Sequence, residues 1–476
     1  MHSLVVRNMT LSAGQLSLDV PQMQFTQGRT CCVIGRSGSG KSLFAAALSG
    51  LPVPDLKVSG DILLDHQPAA GPLWRDHVFV LPQEPATALD PTMPVRKQLA
   101  QILRWRRDPR CPWTSTEDLF AQVGLKPADG LKFPGQLSGG MQQRVMIAMA
   151  LAARASFVIA DEPTKGLDQT SKLRTIELFK LLKQTGRGLV IITHDLNVAR
   201  DLADDLVIFE RGKIADQGDA AQILNGSGSQ AAQAMIKSEP QMWPEKCIRT
   251  ENNAAPVLSI QDVTFEFAKG TPVVNGATLD IREGEVVGLL GPSGVGKSTL
   301  ADICLGLLKP SSGSVRWFGE TADRKLIRAE RTKFQKLFQN PASAFPPNII
   351  LGDVFDKLTP ASGTGFYSKS ALMAKLNLDP SVLLRRPDQL SGGELQRLLI
   401  VRVLLAQPRF LVCDEPSSRL DMSIQRLAID IIADYAAQTL AAVLLISHDK
   451  TVLQKRADRF FEFTNSGLLE QRASTF

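Results

Sequence analysis

Two stretches of the chain, GRSGSGKS ending at Ser42 and GPSGVGKS ending at Ser298, share the spacing G-x-x-x-x-G-K-S. Glycines at those positions let backbone N–H groups turn inward around phosphate oxygens that side chains would otherwise block. The loops run through Gly35, Arg36, Ser37, Gly38, Ser39, Gly40, Lys41 and Ser42, and through Gly291, Pro292, Ser293, Gly294, Val295, Gly296, Lys297, Ser298 and the following Thr299. Lys41 and Lys297 suit the outer phosphates of a nucleotide, and Ser42 and Ser298 suit a Mg²⁺ ion. The chemistry they imply is nucleoside triphosphate binding.

A carboxylate pair recurs as well. FVIADEP and FLVCDEP each place an Asp and a Glu directly after four apolar residues, giving Asp161–Glu162 and Asp414–Glu415. A buried strand that delivers acids to its carboxyl end puts them where open α/β sheets hold ligands. Asp161 and Asp414 are the candidate metal holders. Glu162 and Glu415 are the candidate general bases for a water attacking the γ-phosphate. An Asp-Glu pair can also be a mere helix-start charge, but two such pairs behind two apolar runs argue against it. His194 and His448 follow the apolar runs VIIT and LLIS and precede an Asp, and these are two of only five histidines. Core packing is the ordinary role of a lone histidine, yet their matched positions favour a place near the γ-phosphate.

The elements that position these groups come in two copies. Ser42 and Ser298 lie 256 positions apart, Asp161 and Asp414 253, and His194 and His448 254. A fourth motif, QLSGGMQQR from Gln136 and QLSGGELQR from Gln389, keeps nearly the same offset, 253, at Ser138 and Ser391. Four motifs at one near-constant period make the chain an internal duplication. Each half opens with short strand-like runs, then a strand feeding the glycine loop, a long helical middle, and two further buried strands. Alternating strand and helix with continuously apolar strands predicts an α/β fold with a mainly parallel sheet covered on both faces. A Gly-, Ser- and Pro-rich stretch between Asn225 and Pro256 separates the copies. The expected division is a first domain over 1–235, a linker over 236–255 and a second domain over 256–476, with helical parts near 86–155 and 342–405.

Composition narrows the class. Hydrophobic residues make up 44% and charged residues 21% of the 476, as in globular proteins with full cores. No apolar run approaches the roughly 18–20 residues of a membrane-spanning helix, and the start shows no signal-peptide pattern, so a cytosolic chain is expected. Lys and Arg exceed Asp and Glu by six, a surplus spread too thinly to indicate nucleic acid. The six cysteines form no C-x-x-C pair. Cys31, Cys32 and Cys413 lie inside apolar strand runs, which points to buried thiols rather than a metal site.

With the LSGG phrase added to the loops, acids and histidines, the sequence resembles the ATP-binding-cassette ATPases over nearly its whole length. The resemblance implies two tandem P-loop ATPase domains, each with an antiparallel β part and a helical subdomain, using ATP and Mg²⁺. It implies an intramolecular cassette dimer. Ser138, Gly139 and Gly140 would then cover the ATP on Lys297, and Ser391, Gly392 and Gly393 the ATP on Lys41. By match, Gln83 and Gln339 would sense the metal and the attacking water, while Asp168 and Asp421 would communicate across the dimer. Phe267 stands where the family stacks an aromatic ring on adenine. The first half has Ala13 there, so weaker ATP binding by that half is expected. Both halves keep Glu and His, which predicts two hydrolytic sites.

Exporters usually carry membrane domains on the same chain, twin-cassette translation factors a long charged helical linker, and DNA-repair cassettes large insertions with zinc cysteines. None of these patterns is present. PQEPATALDPTMPV, IADEPTKGLD, RRPDQLSGGELQR and SSRLDMSIQ are instead similar to the oligopeptide/dipeptide/nickel importer ATPases, whose two subunits would here be fused. Many subunits of that family end in an extension with clustered cysteines, and neither half shows one. The resemblance implies a peripheral ATPase on the cytoplasmic face of the plasma membrane that energises uptake of a small solute (a peptide, nickel or a metal–chelator complex), with two integral-membrane permeases, an extracytoplasmic solute-binding protein and no nucleic acid. A soluble twin-cassette ATPase acting on ribosomes is the alternative.

Overall fold

The computed structural model describes residues 2–14, 16–36, 38–69, 71–105, 108, 111–167, 169–245, 254–267, 270–292, 294–358, 368–417, 420–464 and 467–471. It divides into two compact units, Met1–Ile236 and Lys237–Phe476. The stretch expected as linker lies outside the described residues over 246–253. Upstream of that, Trp243 is 2% exposed and packs into the core of the second unit. Its indole N–H donates to the Ser238 carbonyl at 2.8 Å, and the Arg456 guanidinium covers the ring at 5.0 Å.

Both units are built on the same parallel core. In the first, the strands Val78–Leu81, Phe157–Asp161, Gly188–Thr193, Thr30–Gly35 and Asp205–Glu210 lie side by side in that order. In the second, the order Phe334–Leu337, Phe410–Asp414, Ala442–Ser447, Val286–Leu290 and Arg459–Thr464 repeats it. Thr30–Gly35 and Gly188–Thr193 are buried at every position. That is what a sheet covered on both faces demands of its strands, and it explains their unbroken apolar runs.

Antiparallel strands supply the rest. Ser3–Ala13 pairs with Leu16–Thr26 and with Lys57–Leu64. Pro256–Glu266 pairs likewise with Pro272–Arg282 and Ser312–Trp317. In the first unit a single pairing, Lys213 with Asp19, joins these strands to the core as one 10-stranded sheet. In the second they stand as separate 4- and 6-stranded sheets among the described residues.

Each helical part is inserted between the edge strand and the strand carrying the acids. It contains Val95–Trp105, Thr116–Gln122 and Gly139–Ala152 in the first unit, and Leu351–Asp356, Lys369–Lys375 and Gly392–Leu405 in the second. The last helix of each set is buried along most of its length. It begins at the LSGG serine, whose hydroxyl accepts the N–H three residues on, from Met141 in one unit and Glu394 in the other, both at 3.3 Å. Capping of this kind satisfies an N–H that the first helical turn leaves without a partner. A buried ion pair, Arg187 with Asp108 at 3.5 Å, ties the first insertion to the core, and the same guanidinium donates to the Leu151 and Ala153 carbonyls.

Candidate nucleotide sites

The glycine loops leave the carboxyl ends of Thr30–Gly35 and Val286–Leu290 and enter the helices Lys41–Ser49 and Lys297–Cys304. Gly40 and Gly296 cap those helices with φ of 92° and 111°. A Cβ at Gly296 would lie 2.7 Å from the Val273 carbonyl, so only glycine satisfies both backbone and space there. Lys41 and Lys297 are buried, and their ammonium groups donate into the loops themselves. Lys41 reaches the Gly35 and Arg36 carbonyls at 2.7 and 3.0 Å, and Lys297 those of Gly291 and Pro292 at 2.6 and 2.8 Å. Arg36, Gly38, Ser42, Gly294 and Ser298 are exposed along the loops, whereas Ser39 is buried. Ser37, Ser293 and Asp168 lie outside the described residues. A lysine ammonium held within a glycine loop at a helix start suits phosphate.

The acids arrive from the strand two places away. Asp161 pairs in register with Ile192 and Asp414 with Ile446, one strand over from the loop strand, so acid, histidine and loop share one sheet end. Glu162 and Glu415 each hold φ of 49°, an uncommon conformation for a residue with a side chain. Backbone bonds to Ile192 (2.8 Å) and Ile446 (3.1 Å) fix that bend, which turns each carboxylate toward the histidine.

His194 Nδ1 lies 2.9 and 2.8 Å from the two oxygens of Glu162. His448 Nδ1 is 3.4 Å from Glu415, and Gln339 donates to the same carboxylate at 3.0 Å. Gln83, the corresponding glutamine, is exposed, and among the described residues no hydrogen bond joins it to Glu162. Burial pushes both Glu carboxyls up. The bond and charge of the histidine, with Lys41 and Lys165 on one side and Lys297 and Gln339 on the other, outweigh it and leave both below the usual range. His448 is raised, first by its bond to Glu415 and against its own burial. A carboxylate held ionised beside an imidazole is suited to polarising water.

Asp161 behaves differently. Burial lifts its carboxyl above the usual range, with the Ser42 hydroxyl bond acting against the rise. Its Oδ1 is buried with no hydrogen-bond partner among the described residues. An orphan carboxylate oxygen beside a loop serine fits a hard cation such as Mg²⁺, which takes oxygen ligands. Asp414 is buried and lies beside Lys336.

Several supporting residues escaped the sequence reading. Gln143 and Gln396, buried in the LSGG helices, donate to the Pro163 and Pro416 carbonyls, the latter at 3.0 Å, clamping each helix to the turn that carries the Glu. The repeated Q-R of the phrase was the available signal. Asp195 and Asp449, next to the histidines, cap the following helices and accept from Asn197 and Thr451. Of the remaining expected residues, Ser138, Gly139 and Ser391 are exposed, and Gly140, Gly392 and Gly393 partly so. Asp421 caps Met422–Thr439 through Ile424. Phe267 is 72% exposed and meets Phe265 edge-on.

The repeated loop, acid pair and histidine on one sheet end define a P-loop ATPase cassette, and the family model described as ABC transporter matches residues 18–165 and 274–418. The chain therefore belongs to the ABC transporter family as an ATP-binding protein with two cassettes, and it is an ATPase. It is 32% identical to the peptidoglycan transport ATP-binding protein YejF of Agrobacterium fabrum, over 98% of this chain and 92% of that one. It is 30% identical to the glutathione import ATP-binding protein GsiA of Escherichia coli O157:H7, over 91% and 79%. Among solved structures, the archaeal ribosome recycling factor aABCE1 in complex with ribosomal stalk protein aP1 has a TM-score of 0.69 at 20% identity, covering 97% of this chain and 89% of that one. At that identity the likeness is one of fold alone. Among the described residues no helix is long and apolar enough to cross a membrane.

Proposed function

We propose that the chain is the energy-supplying subunit of an ABC importer, binding ATP with Mg²⁺ in both cassettes and driving uptake of a small solute through separate membrane permeases. The supporting observation is the duplicated constellation of loop Lys, Asp, Glu and His in a chain about 30% identical, nearly end to end, to transport ATP-binding proteins. Mg²⁺ would sit between Ser42 and Asp161 in one half and Ser298 and Asp414 in the other, and would supply charge neutralisation on the β- and γ-phosphates. Lys41 and Lys297 hold the outer phosphates. Glu162 and Glu415 draw the proton from the attacking water, His194 and His448 orient those carboxylates, and Gln339 steadies Glu415. Phe267 offers a face for adenine.

Among small solutes, peptide-containing cargo is favoured, because the relatives are named for peptidoglycan transport and glutathione import. Energising the transport does not require either cassette to touch the cargo. The chain is then peripheral, at the cytoplasmic face of the membrane, and an extracytoplasmic solute-binding protein completes the system.

The test is a mild-detergent pull-down of the tagged full chain from its own cells, with the captured proteins identified by mass spectrometry. Two multi-span permeases are the expected partners. Ribosomal proteins without a permease would overturn the importer reading and leave the twin ATPase standing.

A further inference from the structure

Val80 and Lys336 hold the same place in the two cassettes. Each lies on the edge strand beside the acid-bearing strand, in register with Ile159 and Val412, two residues before Asp161 and Asp414. One helical turn past the loop lysine, Ala46 in the first half matches Asp302 in the second. Where one cassette has an apolar pair, the other has a cation and an acid, and these meet. Lys336 Nζ lies 2.7 Å from Asp302 Oδ1 and 3.5 Å from Asp414 Oδ2. The Lys336 side chain is only 10% exposed and that of Asp414 7%. An ammonium withdrawn from water is costly unless it is paired. Asp302 supplies that pairing and keeps the ammonium from swinging away. The fold does not require the lysine, since Val80 serves the same strand position in the other half.

The consequence falls on the metal. Asp161 keeps one buried oxygen without a partner among the described residues, whereas Asp414 already has a fixed positive charge against it. A divalent cation bound to Asp414 is repelled by the ammonium and must displace it from, or share with it, the same carboxylate. We propose that Lys336 is a positioning residue that sets the divalent-metal requirement of the second ATP site above that of the first. The two cassettes then load their metal–nucleotide at different free Mg²⁺ concentrations. The inference rests on the reading of Asp161 and Asp414 as metal-holding residues.

The experiment uses the full chain with one loop lysine removed at a time, Mn²⁺ as an ion countable by electron paramagnetic resonance, and a non-hydrolysable ATP analogue. In a Lys41→Ala background, which isolates the second site, Lys336→Met is expected to lower the Mn²⁺ concentration for half occupancy by something on the order of threefold to tenfold. Lys336→Arg, which keeps the charge, should leave it near its starting value. In a Lys297→Ala background, Val80→Lys should raise the half-point of the first site. This reciprocal arm decides the matter if Lys336→Met fails to fold. Unchanged half-points on analogue-dependent Mn²⁺ binding would overturn the role of Lys336 alone. Loss of analogue-dependent Mn²⁺ binding from both single-lysine backgrounds would overturn the metal-site reading, and this inference with it.

Discussion

The two cassettes carry the same loop lysine, acid pair and histidine and support them differently. In the first half, Glu162 is gripped by His194 through both oxygens, at 2.9 and 2.8 Å. In the second, Glu415 is shared between Gln339 at 3.0 Å and a more distant His448 at 3.4 Å. The LSGG serines differ too. Ser391 sits in a reciprocal cap in which Glu394 accepts both its N–H (2.9 Å) and its hydroxyl (2.7 Å), whereas Met141 stands in place of that Glu in the first half. Duplication has kept the loop lysines, acid pairs and histidines and relaxed the contacts around them. Under the proposed function, those repeated groups are fixed by the chemistry they must do. Their supports need only hold them, and there is more than one way to do so.

The largest test of this comparison is removal of the two proposed bases. Glu162→Gln with Glu415→Gln should leave ATP binding intact while steady-state phosphate release falls by about 10²–10⁴-fold, as for loss of a general base. The single variants sharpen the contrast, and equal losses from both would mean that the unequal supports carry no catalytic weight.

Next in size is the nucleotide base. Phe267→Ala should weaken ATP at the second site by roughly tenfold, and Ala13→Phe should strengthen the first, if ring stacking is worth about 1–3 kcal/mol as it is for nucleic-acid bases. Fluorescent-nucleotide titration in the two single-lysine backgrounds measures both. Similar wild-type affinities would sink the expectation of a weaker first site.

Gln339 offers a finer probe. A net hydrogen bond of about 0.5–1.5 kcal/mol means that Gln339→Ala should let the Glu415 carboxyl rise toward its usual range and move the acid limb of the second-site pH–rate profile upward. Gln83→Ala should produce no such movement in the first.

Two stability measurements come last. Burial raises Asp161, so its charged form costs the fold stability at neutral pH. Asp161→Asn should therefore raise the metal-free melting temperature by a few degrees, about what 1 kcal/mol gives for a unit of this size, while abolishing any gain on adding Mg²⁺. His448 has the opposite sign. With its value raised above 6.5, the protonated ring stabilises the fold below that pH, and the contribution is lost as pH rises through the folded value. The melting difference between wild type and His448→Gln should close along that path, and a difference flat in pH would count against the ion pair.

Much of this was legible in the chain, and for local reasons. The loops are contiguous, so their spacing alone dictates a phosphate cradle, and four apolar residues before an acid name both the strand and the end of it where the acid sits. The period of about 254 residues gave the duplication before any strand was paired. What lay beyond the sequence depends on reach across neighbouring elements. Nothing in VLPQ and LFQN distinguishes Gln83 from Gln339, yet among the described residues only the second meets its glutamate. The Trp243 ring, in a stretch composed like a linker, is buried because the second unit's core has room for it beside Arg456.

Sequence by itself determined the glycine loops, the acid pairs, the LSGG phrases and their repeat, because each of these is a run of residues adjacent in the chain. Only the tertiary structure decided how each group is held: the left-handed turn at Glu162 and Glu415, the clamp from Gln396 to the Pro416 carbonyl, and the pairing of Asp302, Lys336 and Asp414. These contacts join residues 20 to 78 positions apart, and burial makes each of them consequential. A charge or amide withdrawn from water must find its partner in space, wherever along the chain that partner lies.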